Sequence, residues 1–143
     1  MANIKMISIA QTEDELRECF PVMHQLRPHL GENEFIERVQ NQAQYSYKVA
    51  YLKDETQVVA VTGYRISHGL AWGKFLYVDD LVTDENQRSK GYGKQMLDWL
   101  TEQAKQQNCD QLHLDSGMQR KDAHRFYDRE NMTRAGYHFS IEL

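Results

Sequence analysis

The chain has 143 residues, of which 41% are hydrophobic and 27% charged, and its formal net charge is −4. This length and composition predict one globular domain over residues 1–143 and argue against a disordered chain. A general nucleic-acid binder is usually basic, so we expect no nucleic-acid partner. Residues 1–10 show no basic region leading into a long apolar run, and no stretch approaches the roughly 18 apolar residues of a membrane span, so we expect a cytoplasmic protein without a membrane partner.

The first third of the chain predicts one strand and two helices. Residues 4–10 alternate loosely, which is typical of a short strand. Thr12 and Glu15 have the spacing of a capping box, so a helix should begin there and end near Pro28. Residues 34–44 carry apolar side chains at helical spacing and predict a second helix.

The middle of the chain predicts three strands joined by short turns. Residues 45–52 and 57–66 are rich in Val, Tyr and Ala, residues 74–83 form a third run, and polar or glycine-containing breaks separate the three. Successive strands with short connections favour an antiparallel meander.

The last third predicts helices at 92–107 and 121–130 and strands at 111–115 and 134–143. The final strand is predicted from the alternation of three apolar residues, Tyr137, Phe139 and Ile141. The helical crossover makes strand 111–115 parallel to the one before it. The expected fold is therefore α/β, a mixed central sheet flanked by helices in the order β-α-α-β-β-β-α-β-α-β.

The segment with the clearest chemical signal is residues 76–97, LYVDDLVTDENQRSKGYGKQML. It contains R-x-x-G-x-G at positions 88–93, between an apolar strand and an amphipathic helix. A helix start presents unpaired N–H groups and partial positive charge, and glycines let a phosphate approach closely. The spacing does not fit a Walker A loop, because Gly91 has no glycine five positions before it and is not followed by Lys-Ser. It does not fit the G-x-G-x-x-G dinucleotide fingerprint either, because position 96 is Met96. A solvated loop before a capped helix is the structural alternative.

This arrangement resembles the CoA pyrophosphate loop of the GNAT superfamily of N-acetyltransferases. The predicted order of elements is also that of the family, and residues 123–129, AHRFYDR, resemble its late helix. The resemblance is specific over residues 76–127 and architectural before residue 74. It implies a GNAT fold and an enzyme that transfers an acetyl group from acetyl-CoA to a primary amine of a small molecule or protein.

The resemblance also implies two backbone segments that bind the cofactor. In the family, the strand before the loop carries a bulge, and its backbone binds the pantetheine arm and polarises the acetyl carbonyl; that place is held here by Leu81, Val82 and Thr83. The loop would surround the pyrophosphate with successive amides and added charge, from Arg88, Ser89, Lys90, Gly91, Tyr92, Gly93 and Lys94. The family often has an asparagine at the position of Arg120, which puts that one contact in doubt.

Four residues are candidates for catalysis. Tyr127 matches the family's tyrosine near the end of CoA, where a phenol of pKa about 10 can protonate a leaving thiolate; packing on the sheet is the alternative. Asp79 and Asp80 lie in an apolar strand, where alternation would place one on each side of the sheet. Either could bind the substrate ammonium or accept its proton. Asp115 is a rival base, and a structural role is the alternative for all three carboxylates.

Further alternatives stay open for the activity, the acceptor and the oligomeric state. A non-catalytic CoA-binding sensor or partner domain would keep the fold without turnover, whereas an RNA-directed acetyltransferase toxin is disfavoured by the acidic charge. Carboxylates at Glu32, Glu34 and Glu37 suggest a cationic acceptor such as a polyamine or an amino-terminal group, but a solvated helix face explains them equally well. Dimerisation is common in this fold, so a homodimer is an open alternative. The histidines and cysteines show no metal-binding spacing, so no metal is expected.

Overall fold

The computed structural model describes residues 6–143. Its strands and helices follow in the order β1 (Ile7–Ile9), α1 (Glu13–Leu26), α2 (Glu32–Gln42), β2 (Lys48–Asp54), β3 (Gln57–Gly69), β4 (Gly73–Thr83), α3 (Tyr92–Gln106), β5 (Gln111–Leu114) and α4 (Lys121–Arg129). Single turns of 3-10 helix occupy Ala43–Tyr45 and Glu85–Gln87. The part of the first predicted strand before residue 6 lies outside the described residues.

The strands form one mixed sheet in the order β1-β2-β3-β4-β5, which confirms the predicted fold class. The first four strands pair antiparallel with their neighbours in sequence, as the meander prediction required. β5 begins beside the start of β4, where the Asp110 N–H donates to the Lys74 carbonyl at 2.7 Å. Because β5 has four residues and β4 has eleven, β4 continues well beyond the end of β5.

The capping box forms as predicted, since the Thr12 side chain accepts a hydrogen bond from the Glu15 N–H at 3.1 Å. Helix α1 continues through Pro21 and ends before Pro28. The apolar faces of α1 and α2 build a core with residues of the sheet: Leu16, Cys19, Val22, Met23, Phe35, Ile36, Val39, Tyr47, Val49, Val58 and Val61. Helix α1 contacts β3 and β4, and α3 contacts the same two strands.

A β-bulge interrupts the pairing of β3 with β4. Gly63 pairs with Asp80 and the next residue, Tyr64, pairs with Val78, so Asp79 is the extra residue. A bulge bends its strand and changes the direction of nearby side chains. Simple alternation therefore fails at the two adjacent aspartates.

The chain divides into two compact units, one that ends at His113 and one from Leu114 to Leu143. The single domain over 1–143 stays a prediction.

The predicted final strand at 134–143 was wrong, because this segment has no regular secondary structure. Its alternating side chains are all exposed: Tyr137 87%, Phe139 90% and Ile141 86%. Alternation specifies which side chains share a face, but a strand is stabilised only by pairing with a neighbour and burying one face.

Candidate active site

Asp80 is held from three directions inside the first unit. Its Oδ1 accepts from the Arg27 Nε at 2.9 Å and its Oδ2 accepts from the Tyr47 hydroxyl at 2.5 Å. Its backbone carbonyl accepts from the fully buried Thr62 hydroxyl at 2.7 Å. These donors fix the position of the carboxylate and offset the cost of its partial burial.

Tyr47 is buried beneath this carboxylate. Burial, together with the adjacent Asp80 charge, raises the pKa of the Tyr47 phenol well above its usual value. The hydroxyl therefore stays protonated and donates a hydrogen bond to Asp80. Gly63 makes room for the pair, because a Cβ there would overlap the Tyr47 hydroxyl and lie 2.7 Å from the Asp80 Oδ2. The close packing therefore requires glycine at this position of β3.

Asp79 has a different environment. Its carboxylate accepts from one donor, the Arg65 Nε, at 3.1 Å to Oδ2 and 3.4 Å to Oδ1. Burial raises the pKa of Asp79, and the nearby Arg65 charge only partly opposes the shift. The Asp79 backbone carbonyl accepts from the Arg27 Nη2 at 3.0 Å, so one guanidinium contacts both aspartates. Among residues 6–143, the Asp79 carboxylate thus has fewer hydrogen-bond donors than the Asp80 carboxylate.

Both aspartates line one cavity of about 310 Å³. The prediction that they face opposite sides of the sheet was wrong, because the bulge at Asp79 breaks the alternation. The other lining residues come from α1, α2 and the segments that follow them: Met23, Arg27, His29, Leu30, Phe35, Arg38, Val39, Gln42 and Tyr47. This concave, partly apolar space with convergent polar groups has the features of a small-molecule site.

The segment predicted to bind the pantetheine arm follows the bulge directly. Leu81, Val82 and Thr83 pair regularly with β3, so the irregularity lies at Asp79 and not within these three residues. Antiparallel strands direct alternate backbone groups away from the partner strand. β5 has four residues and β4 has eleven, and the role of Leu81–Thr83 in binding a pantetheine arm stays a prediction.

The polar loop after β4 is anchored by its own first residue. The buried Asp84 accepts from the Asn86 N–H at 3.1 Å and from the Gln25 side chain at 3.2 Å. Gln25 in turn accepts from the Glu85 N–H at 2.9 Å. Helix α1 therefore holds the beginning of the loop.

The start of α3 has the backbone geometry that an anion site requires. Gly91 is the N-cap with φ of 81°, a conformation that favours glycine, and no side chain caps the helix. The Gln95 N–H donates to the Gly91 carbonyl at 3.0 Å, so the amides of residues 92–94 lie in the first turn, before the regular helical hydrogen bonds begin. The helix dipole there favours an anion.

The side chains around this turn differ in what they can contribute. Tyr92 is buried and donates to the Asp54 Oδ2 at 2.6 Å, so its side chain is held in the protein interior. Arg88, Ser89 and Lys90 are exposed. Lys94 is also exposed and lies 3.2 Å from Asp98. The predicted charges are present at the surface of the loop.

The remaining two candidates belong to the unit from Leu114 to Leu143. Burial raises the pKa of Tyr127 on α4, with a small opposing effect of Arg120, so the phenol is protonated at neutral pH. Asp115 is exposed and its Oδ2 lies 3.5 Å from the His138 Nδ1.

Sequence reasoning missed the residues that support the acid pair. Tyr47 and Arg27 lie 33 and 53 positions from Asp80, and Gly63 has no local signal beyond its place in a strand. An isolated glycine inside a strand pattern does indicate a bulge or a close approach, and this was the available clue.

Among residues 6–143, no group of three or more His, Cys, Asp or Glu side chains is arranged to hold a metal ion. Within the same residues, no helix combines the length and apolarity needed to cross a membrane.

Comparison with known proteins decides the family. The profile of the acetyltransferase (GNAT) family matches residues 9–131. The chain belongs to this GNAT family. It is 36% identical over 130 residues to the uncharacterized N-acetyltransferase YhdJ of Bacillus subtilis, covering 90% of this chain and 92% of the relative.

Two other matches are limited, one in the share of the chain that it covers and the other in sequence identity. An aminoalkylphosphonate N-acetyltransferase of Salmonella typhimurium is 33% identical over 66 residues, which are 46% of this chain and 43% of that protein. The crystal structure of an aminoglycoside N-acetyltransferase in complex with CoA aligns with a TM-score of 0.85 at 9% identity, over 100% of this chain and 98% of that one. At this identity the structural match shows the GNAT fold alone.

Proposed function

We propose that this protein transfers an acetyl group from acetyl-CoA to a primary amine by direct attack of the amine. The observation that carries the proposal is the cavity with two carboxylates at the bulge of β4, directly before Leu81–Thr83 and the loop leading to α3. GNAT proteins typically use acetyl-CoA. The matched relative named for aminoalkylphosphonates supports a small-molecule acceptor.

The residues present fit a CoA-type ligand. The glycine N-cap at Gly91 and the first amides of α3 suit a pyrophosphate. Arg88, Lys90 and Lys94 would add charge, and the backbone of Leu81–Thr83 would hold the pantetheine arm. Acetyl-CoA, when bound, supplies the acetyl group as an activated thioester.

The two aspartates take different roles in this proposal. Asp79 receives the substrate ammonium and accepts its proton through water, because its raised pKa favours proton uptake. Asp80, fixed by Arg27 and Tyr47, positions this wall of the cavity. Asp115, exposed and beside His138, is the weaker candidate.

Tyr127 donates the proton that the departing thiolate requires. Its raised pKa keeps the phenol protonated, and direct transfer to the amine needs no covalent enzyme nucleophile.

Release of free thiol from acetyl-CoA, measured with a panel of primary amines, tests the activity. We expect amine-dependent release, and Tyr127→Phe should lower kcat about 100-fold, the smaller end of general-acid effects, with acetyl-CoA affinity nearly unchanged. The matched control is Tyr137→Phe, which removes an exposed phenol. Equal turnover in the two variants would remove Tyr127 from the mechanism. CoA binding without turnover for any amine would identify a non-catalytic CoA-binding domain instead.

A further inference from the structure

The acidic and the basic residues that line the cavity come from different elements of the fold. Both acids, Asp79 and Asp80, come from β4. The basic groups come from the helical segments: Arg27 and His29 follow α1, and Arg38 lies on α2. A ligand in the cavity therefore meets carboxylates from the sheet and basic side chains from the helical segments.

Arg27 is already committed to the acid wall. It donates to the Asp80 carboxylate and to the Asp79 carbonyl, at 2.9 and 3.0 Å. This pairing leaves Arg38 and His29 as the groups at the cavity that could bind an anion.

Arg38 is held only weakly. Within residues 6–143 its side chain has one hydrogen bond, to Glu34 at 3.4 Å, and the two side chains are 56% and 51% exposed. Such surface pairs contribute little, so a bidentate anion can replace Glu34 as the partner. His29 is exposed, and no hydrogen bond or ion pair holds it within residues 6–143.

Part of the cavity wall is apolar. It is made of four buried side chains, Met23, Leu30, Phe35 and Val39. Phe35, Arg38, Val39 and Gln42 share one face of α2 at helical spacing, which places the guanidinium next to the apolar surface. An alkyl chain fits this wall, and a cavity of about 310 Å³ is at the small end of ligand sites.

The glutamates of α2 do not serve a cationic acceptor here. Glu32 pairs with Arg17 and Glu34 with Arg38, and neither they nor Glu37 line the cavity. The carboxylates that suggested a polyamine thus belong to the solvated face of the helix.

We infer that the acceptor is a small zwitterion, a primary amine joined by a short alkyl chain to a carboxylate or phosphonate. The ammonium faces Asp79 and the anionic group is bound by Arg38 and His29. This inference rests on the proposed acetyl transfer and adds to it the class of acceptor and the residues that select it.

A matched series of two-carbon amines tests the inference. Thiol release is measured with 2-aminoethylphosphonate, β-alanine, ethanolamine and 1,2-diaminoethane, which differ only in the second group. We expect at least one of the two anionic amines to exceed ethanolamine and the diamine about tenfold in kcat/KM, and the phosphonate and carboxylate arms show which anion is preferred. An equal or higher value for the neutral or dicationic amine would overturn the inference.

Two arginine variants locate the selectivity. Arg38→Gln should reduce the preference for anionic over neutral amine about tenfold, mainly through KM. Arg17→Gln, which removes an exposed arginine whose partners lie outside the cavity, should keep the preference. The same change in both variants would contradict a binding role for Arg38.

Binding without turnover separates this inference from the proposed function. Calorimetry with 2-aminoethylphosphonate and β-alanine, added to protein saturated with CoA, should detect binding that Arg38→Gln weakens about tenfold. If such binding occurs but no amine is acetylated, the proposed function fails and the anion site stands. If amines are acetylated but binding of the anionic ones is no tighter than that of ethanolamine, the anion site fails alone.

Discussion

The two parts of the candidate site lie on either side of Leu81–Thr83 and are built in opposite ways. The acidic cavity before this segment depends on hydrogen bonds that join the aspartates of β4 to Arg27 after α1, Tyr47 before β2 and Arg65 of β3. The loop after it presents backbone amides at the start of α3, with exposed side chains around them. The cavity should therefore be sensitive to residue identity, and the loop mainly to backbone conformation and bulk.

Gly63→Ala should have the largest effect of the changes that sharpen this contrast. The new Cβ overlaps the Tyr47 hydroxyl and crowds Asp80, so we expect a loss of about 2–3 kcal/mol in the free energy of unfolding and about 100-fold in kcat/KM. Urea unfolding and thiol release measure the two quantities, and acetyl-CoA affinity should change little.

Gly136→Ala is the control for this change, because a Cβ there meets nothing within 4 Å. It should leave the free energy of unfolding within about 0.5 kcal/mol of wild type. If Gly63→Ala behaves like the control, the close packing of Tyr47 and Asp80 is not what shapes the cavity.

Gly91→Ala should have an intermediate effect and act on the other part of the site. Its Cβ meets nothing within 4 Å, so the structural cost of about 1–2 kcal/mol comes from the positive φ alone. Because the Cβ blocks close approach of a ligand to the amides, we expect about a tenfold loss of acetyl-CoA affinity by calorimetry.

Gly31→Ala is the matched control, since Gly31 is the N-cap of α2 with φ of −81° and the same open surroundings. It should cost less stability than Gly91→Ala and leave acetyl-CoA affinity unchanged. Unchanged affinity in Gly91→Ala as well would contradict the assignment of the pyrophosphate loop.

The smallest expected effect is a pH dependence from Asp79. Its pKa is raised above the ordinary value of 3.8 in the folded protein, so its contribution to stability is fully present below that pH and is lost as pH rises through the folded pKa. Asp79→Asn should therefore gain stability relative to wild type between pH 3 and 7, by less than about 1 kcal/mol. Urea unfolding across this range checks the sign, and a relative loss for the variant would show that the Arg65 pair dominates.

The sequence predicted the local elements better than the cavity, for a physical reason. Apolar periodicity and the capping box are local patterns, and they correctly indicated the elements from β1 to α4. The cavity depends on contacts between residues up to 53 positions apart, such as Arg27 with Asp80. No local pattern specifies those contacts.

Two errors have a common origin. The bulge at Asp79 and the absence of a final strand at 134–143 both concern pairing between strands, whereas alternation reports only which side chains share a face. A sequence pattern can therefore suggest a strand without defining its register or its partner.

The most direct test of the account is the melting temperature of the protein with acetyl-CoA, free CoA, NAD and ATP, each at saturating concentration. A ligand present at 100 times its Kd stabilises the folded state by about 2.7 kcal/mol, which for a chain of this length raises the melting temperature by roughly 5–10 °C. The account predicts such a rise with acetyl-CoA and CoA and a much smaller one with NAD and ATP. No rise with acetyl-CoA, or an equal rise with NAD or ATP, would contradict the assignment of Leu81–Thr83 and the start of α3 as the CoA site.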